Sequence, residues 1–305
     1  MMKKFLISGI TSGLGYELAL KALSEGHIVF GILRNSKKFL ETVEYQRLLE
    51  YNSAYEDSKT DIIMNDEDRH LPINKLILWD FDLAEALSPD RKRQLLQVMQ
   101  IVQSLDYIYH FAGYLEGGAW EDIEYNKLEA QFRVNFLNIQ GITKILIPYL
   151  NPQAKVFTAG SVAGKFSYPL MGPYCTSKAA LRVMMEIWSA EAKPKGIQFV
   201  NFTFGPIQTP FWNKSRRTND STHSDYQIQI ETLKKFSHKI EGSAYTENQV
   251  IERIWKLKDK AQLDFDIVIV KNKLINYHLP NLAPQFIKNY IYKKLLKLDT
   301  RFFNY

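Results

Sequence analysis

One cysteine, Cys175, stands in 305 residues, so no disulfide can form within the chain, and a reducing, cytoplasmic setting is expected. We read Cys175 as helix packing rather than chemistry. Six dispersed histidines and that lone thiol give no recognisable zinc spacing, so no metal is expected. No run approaches the roughly 20 apolar residues that span a bilayer. Lys3 and Lys4 precede an apolar stretch, Phe5 to Ile10, that is too short for the core of a signal peptide. The expectation is a soluble or peripheral protein. The net charge of +6 is not gathered into a central block with interleaved aromatics, which argues against nucleic acid as a partner. No internal repeat is present.

Hydrophobic residues make up 46% of the chain and charges of both signs are dispersed, enough to bury a sizeable core. Short apolar runs recur at Lys3 to Ser8, Ile28 to Leu33, Lys75 to Trp79, Tyr107 to Phe111, Lys155 to Ala159, Gln198 to Thr203 and Asp266 to Val270. Helical patterns fall at Tyr16 to Ser24, Pro89 to Ser104, Glu124 to Tyr149, Tyr174 to Ala192 and Thr246 to Lys258. Such alternation predicts an α/β, Rossmann-type doubly wound, seven-stranded parallel sheet covered on both faces. Strands buried on both faces explain the unbroken apolarity. One catalytic domain is expected over residues 1–275, with a surface insertion at 40–71 and a polar, mobile, helical lid over the substrate at 210–245. Residues 276–305 form a C-terminal extension.

After the first run comes Ser8-Gly9-Ile10-Thr11-Ser12-Gly13-Leu14-Gly15, then a helix. Glycines there permit a tight turn and close approach of backbone to a pyrophosphate, and the helix start offers unpaired N–H groups. The candidate cofactor contacts in this segment are Gly9, Thr11, Ser12, Gly13, Leu14 and Gly15. The second run ends in Arg34, where NAD-binding folds place a carboxylate for the ribose hydroxyls. A guanidinium matches a 2′-phosphate instead, with Ser12 as a further donor, which favours NADP(H) over NAD(H). Lys37 and Lys38 read as exposed.

Tyr174 and Lys178 are four apart in a helical segment and share a face. A lysine cation favours a neighbouring phenolate, and lowering a tyrosine pKa by roughly 3 units takes about 4 kcal/mol. Spacing alone is weak, since Tyr55 with Lys59 and Tyr290 with Lys294 repeat it. Ser161, thirteen residues before Tyr174 and just beyond a strand, distinguishes the first pair, because ligands bind there in open α/β sheets. Its hydroxyl can bond a reacting carbonyl oxygen.

Over roughly Lys3 to Val270, these ordered motifs resemble the short-chain dehydrogenase/reductase family. Asp82-Leu83 resembles its adenine contact, Phe111-Ala112-Gly113 the segment that supports the cofactor, and Asn135 its proton-relay asparagine. Gly205-Pro206-Ile207-Gln208-Thr209 resembles the loop that positions the nicotinamide, giving Ala112, Gly113, Pro206, Ile207 and Thr209 as further contacts. The resemblance implies that Tyr174 donates the proton, Ser161 orients the substrate oxygen, Lys178 holds the nicotinamide ribose, and Asn135 holds a relay water. It also implies a homodimer or homotetramer assembled through Glu124 to Tyr149 and Tyr174 to Ala192. Ser8 replaces a usual threonine and keeps the hydroxyl. His110 and Phe111 replace two common asparagines, which puts the usual ties of that loop in question; His110 reads as structural.

Large apolar residues near the expected pocket, Phe166, Tyr168, Leu170, Met171, Phe211 and Trp212, suit a hydrophobic ketone, aldehyde or secondary alcohol of lipid, steroid or retinoid type. From Pro284 to Tyr305, Lys288, Lys293, Lys294, Lys297 and Arg301 oppose one acid, Asp299, while Ile287, Ile291, Leu295, Leu298 and Phe302 recur at helical spacing. That pattern fits an anionic membrane surface, or equally a helix docked on the domain or a partner subunit. The leading expectation is an NADP(H)-dependent oxidoreductase. The alternative is an NADP(H)-binding sensor or scaffold without turnover.

Overall fold

The computed structural model describes residues 1–52, 62–63, 75–211, 216–217, 226–242 and 244–296. The seven predicted strands are all present: β1 (Lys4–Ser8), β2 (Ile28–Leu33), β4 (Leu76–Asp80), β5 (Leu105–His110), β6 (Leu150–Ser161), β7 (Gln198–Phe204) and β8 (Asp266–Ile269), with a two-residue strand, β3 (Ile62–Ile63), added at one edge. They form one sheet in the order β8-β7-β6-β5-β1-β2-β4-β3. Every neighbouring pair is parallel. The chain order reverses between β1 and β5, and a crevice opens beyond the carboxyl ends of strands at such a point.

Alternate residues of each strand feed two separate cores. Phe5, Ile7, Tyr107 and Tyr109 pack on one face with Val250, Ile254 and Trp255 of the helix Glu247–Lys258. Leu6 and Ile108 pack on the other with Leu95, Val98, Met99 and Val102 of the helix Pro89–Val102. The period of two in a strand therefore meets an apolar environment at every residue, which is why the runs looked continuous. The second helix shows its causes plainly: Ser88 caps it by accepting from the Arg91 N–H at 3.3 Å, and Pro89 sits at the first helical position. Its apolar residues fall at spacings of three and four. Stacked rings cross the first core, with Phe157 4.5 Å from Tyr109 and 5.2 Å from Phe202. Each such ring removed from water contributes about 1.5–3 kcal/mol.

Three expectations change. The span Glu124 to Tyr149 is not one helix: Tyr125–Phe132 and Asn138–Leu146 are separated by a π-helical segment, Arg133–Leu137, that carries Asn135. The 40–71 stretch is not wholly a surface feature, since the helix Val43–Asn52 buries Tyr45 and Leu48 against the core, and β3 joins the sheet. Much of 210–245 is a helix, Gln227–Gly242, which buries Ile230 beside Ala119 and Leu170. Apolar contact makes this helix a packed element, where a mobile lid was expected. Trp212, Tyr55, Lys59 and residues 297–305 lie outside the described residues.

Candidate active site

A cleft of about 1040 Å³ runs along the carboxyl ends of the strands, from Arg34 and Asp82 at one end to Ser161, Tyr174 and Lys178 at the other. The glycine turn forms its floor. Gly9 and Gly13 have φ of +79° and +68°, conformations that favour glycine. A Cβ on Gly9 would lie 2.8 Å from the Ala112 nitrogen, and one on Gly15 would lie 2.4 Å from the Gly9 carbonyl oxygen. Close backbone packing thus sets the turn, and the helix Gly13–Ser24 begins at the cleft wall. Ser12 stands at its N-cap without using its side chain as the cap. These residues fit a dinucleotide: the turn admits a pyrophosphate, and a Cβ on Gly13 would meet nothing nearer than 3.7 Å.

The catalytic candidates come from two elements. Ser161 ends β6, two residues beyond the predicted strand, and its Oγ accepts from the Ala163 N–H at 3.1 Å. Tyr174 and Lys178 lie one turn apart on the helix Gly172–Glu191, in the same buried stripe as Leu181 and Met185. The helix can start there because Gly172 faces the Trp120 ring, which any Cβ would penetrate. Ser161 and Tyr174 line the same wall of the cleft, and the Ser161 side chain acts on the Tyr174 hydroxyl. Lys178 Nζ lies 5.7 Å from the Tyr174 ring centre and donates to the Ala159 carbonyl at 2.7 Å.

The electrostatics depart from expectation. Burial pushes the Tyr174 hydroxyl well above its ordinary value, with the Ser161 side chain opposing. Burial also lowers Lys178 to about 8. The lysine cation therefore does not make the phenol acidic here: it sits over the ring rather than at the oxygen, and desolvation dominates both groups.

Asn135 stands behind the cleft wall, fully buried. Its Oδ1 accepts from the Tyr114 N–H at 3.2 Å, and its Nδ2 donates to the Tyr114 carbonyl at 3.0 Å and to Ser177 Oγ at 3.1 Å. A Cβ on Gly113 would lie 3.2 Å from Asn135 Oδ1 and 3.4 Å from Lys178 Nζ, so these three residues converge. The loop after β5 is held by Asn135 and by Ser8, whose Oγ accepts from the Ala112 N–H at 3.1 Å. These bonds replace the ties that His110 and Phe111 put in question. His110 is buried, Nε2 lies 2.8 Å from Thr143 Oγ1, and burial lowers its pKa to about 3, which fits a neutral structural ring.

Of the other expected cofactor contacts, Thr11, Leu14, Leu83, Ala112, Gly113, Pro206, Ile207 and Thr209 line the cleft; Gly15 is buried beneath the turn and does not. Asp82 Oδ1 accepts from the Ala84 N–H at 2.9 Å, which fixes the local turn. On the substrate side Tyr168, Met171 and Phe211 line the cleft, whereas Phe166 packs on Tyr277 and Leu170 joins the Ile230 cluster. Sequence reasoning missed Leu233, Ile275, Asn276 and Pro280, which complete that wall. They arrive from distant segments with no motif of their own.

The family described as short chain dehydrogenase matches residues 69–220. A probable short-chain type dehydrogenase/reductase of Helicobacter pylori is 24% identical, covering 82% of this chain and 81% of the relative. An NADPH-dependent 3-dehydrocapnine reductase of Ornithobacterium rhinotracheale is 23% identical, covering 97% of this chain and 99% of the relative. A short-chain dehydrogenase of Streptomyces avermitilis superposes with a TM-score of 0.71 at 18% identity, covering 95% of this chain and 94% of that one. A Burkholderia cenocepacia short-chain dehydrogenase in complex with NADP gives 0.65 at 15% identity, covering 88% and 96% respectively. With the glycine turn, Ser161, Tyr174 and Lys178 along one cleft of this sheet, the chain belongs to the short-chain dehydrogenase/reductase family.

Proposed function

We propose that the protein is an NADP(H)-dependent reductase, or the reverse dehydrogenase, of a hydrophobic carbonyl or secondary alcohol. The observation that carries this reading is the convergence of Ser161, Tyr174 and Lys178 on one cleft, with Tyr174 and Lys178 one helical turn apart. NADPH, when bound, supplies the hydride. Arg34 and Ser12 hold its 2′-phosphate, the glycine turn its pyrophosphate, and Lys178 its nicotinamide ribose. Two features support NADPH over NADH: a guanidinium at the end of β2, and the cofactor named for the relative from Ornithobacterium rhinotracheale, which matches over nearly its whole length.

In the reducing direction Ser161 hydrogen-bonds the substrate carbonyl oxygen, and Tyr174 donates the proton that the developing alkoxide takes up. A hydroxyl whose pKa burial has raised is protonated at neutral pH, the form a proton donor needs. Asn135 positions the Gly113 loop and Ser177 beside Lys178, and so acts through its neighbours. Tyr168, Met171, Phe211, Leu233 and Ile275 supply an apolar wall suited to a bulky, weakly polar substrate. The test is NADPH oxidation, followed by its absorbance, with a panel of aliphatic, aromatic and long-chain ketones and aldehydes. Turnover of an apolar member, lost in Tyr174→Phe, is expected. Tight NADPH binding without turnover of any carbonyl would instead make the protein a sensor.

A further inference from the structure

The C-terminal extension has two unlike faces. Its inner face is seated on the segment between Ser161 and Tyr174: Lys165 Nζ donates to the Tyr277 hydroxyl, the Phe166 and Tyr277 rings are 6.1 Å apart, and Tyr168 and Tyr292 are 5.9 Å apart. Leu296 is also buried. The outer face therefore cannot turn inward without breaking these contacts. It presents Leu274, Ile275, Leu279, Leu282, Phe286 and Ile291 to solvent, with Leu282 78% and Phe286 73% exposed. A contiguous apolar ridge of this kind marks an interaction surface.

Charge and position identify what covers it. Residues 267–296 contain five lysines and no carboxylate; Lys271, Lys273 and Lys294 are exposed, while Lys288 turns inward over the Phe166 ring. A second copy of the chain docked symmetrically would set one lysine-bearing face without carboxylates against another. An anionic lipid surface would accept both the ridge and the lysines. Ile275 belongs to the ridge and, with Asn276 and Pro280, also lines the cleft, so the ridge is continuous with the substrate end of the site. Among the described residues no helix is long and apolar enough to cross a membrane. We propose that the outer face of the extension docks on an anionic bilayer, and that the cleft thereby receives an apolar substrate from the lipid phase. Docking itself is independent of the proposed activity; only the delivery of substrate rests on that reading.

The experiment is cosedimentation of the full chain with phosphatidylcholine vesicles, with and without phosphatidylglycerol, at low and high salt. Read as bound protein, it needs no turnover. The wild type should pellet with the anionic vesicles at low salt and be released by high salt. Leu282→Glu with Phe286→Glu, both exposed and outside the cleft, should reduce binding by about tenfold or more while leaving NADPH oxidation of a short, water-soluble ketone unchanged. A second variant, Lys271→Glu with Lys273→Glu, should weaken binding to anionic vesicles alone. No pelleting of the wild type at low salt overturns the proposal, as does equal pelleting of the Leu282/Phe286 variant. A wild-type dimer that this variant converts to a monomer, with no vesicle binding by either form, assigns the ridge to a second copy and also overturns it.

Discussion

Asn135 donates to Ser177 Oγ at 3.1 Å, and so joins the π-helical segment to the helix residue that immediately precedes Lys178. The same side chain holds both backbone polar groups of Tyr114. The single extra residue of the π turn allows this reach, and such turns recur at functional sites. Asn135→Ala is expected to leave buried groups unpaired and lower stability by about 1–3 kcal/mol. Urea unfolding measures the loss. A larger effect on kcat than on KM would show that Lys178 and the Gly113 loop had moved as well, whereas a structural role alone would leave kcat intact.

Tyr174→Phe removes only the hydroxyl that shares the cleft with Ser161. The expected cost in stability is about 1 kcal/mol. Activity should fall by about 10²–10⁴-fold, the usual contribution of a positioned proton donor. Titration of NADPH by fluorescence should still show binding. Retained turnover would remove Tyr174 from the proton-transfer role.

Lys178 gives a pH signature. Burial depresses its pKa from 10.5 to about 8, so the folded state releases this proton before the unfolded chain does. Below pH 8 both states are charged and the folded protein bears the full desolvation cost; as pH rises from about 8 to 10.5 that cost is relieved and stability rises. The contribution to stability is therefore present at high pH and lost as pH falls through about 8. Unfolding of the wild type and Lys178→Met, compared across this window, should show the wild type gaining on the variant. A difference independent of pH would mean that the amine titrates as if it were in water.

Arg34 lies at the end of the cleft opposite Tyr174. A charge-assisted hydrogen bond contributes about 1.5–3 kcal/mol, so Arg34→Ala should weaken NADPH binding about 10- to 100-fold. The affinity for NADH should change little. Calorimetric titration with both cofactors checks the pair; equal losses for both would place Arg34 away from the 2′-phosphate.

The features legible in the sequence were those fixed by local rules. Gly9 and Gly13 announce a turn because their φ values suit few other residues, and Tyr174 and Lys178 share a face because a helix repeats about every four residues. The strands showed because both cores are apolar. What was missed depends on contacts between distant segments. Phe166 and Leu170 are drawn from the cleft by Tyr277 and Ile230, and no nearby residue signals that. The π turn at Arg133–Leu137 changes helical phase without any change of composition. The burial that governs Tyr174 and Lys178 arises only once the sheet and helices close around them.

Strand β6 sets the position of Ser161 by its length. Its ladder with β7 runs without a slip from Lys155 opposite Gln198 to Ser161 opposite Phe204. Successive side chains of a strand point to opposite faces, so losing or gaining one residue between Lys155 and Ser161 would swing the serine hydroxyl across the sheet, away from Tyr174. The number of residues in that stretch works as a fixed gauge. On the proposed function, a descendant of this chain can vary in length at its loops and keep its activity, whereas a single residue lost here would take Ser161 away from Tyr174 while leaving Ser161, Tyr174 and Lys178 all in the sequence.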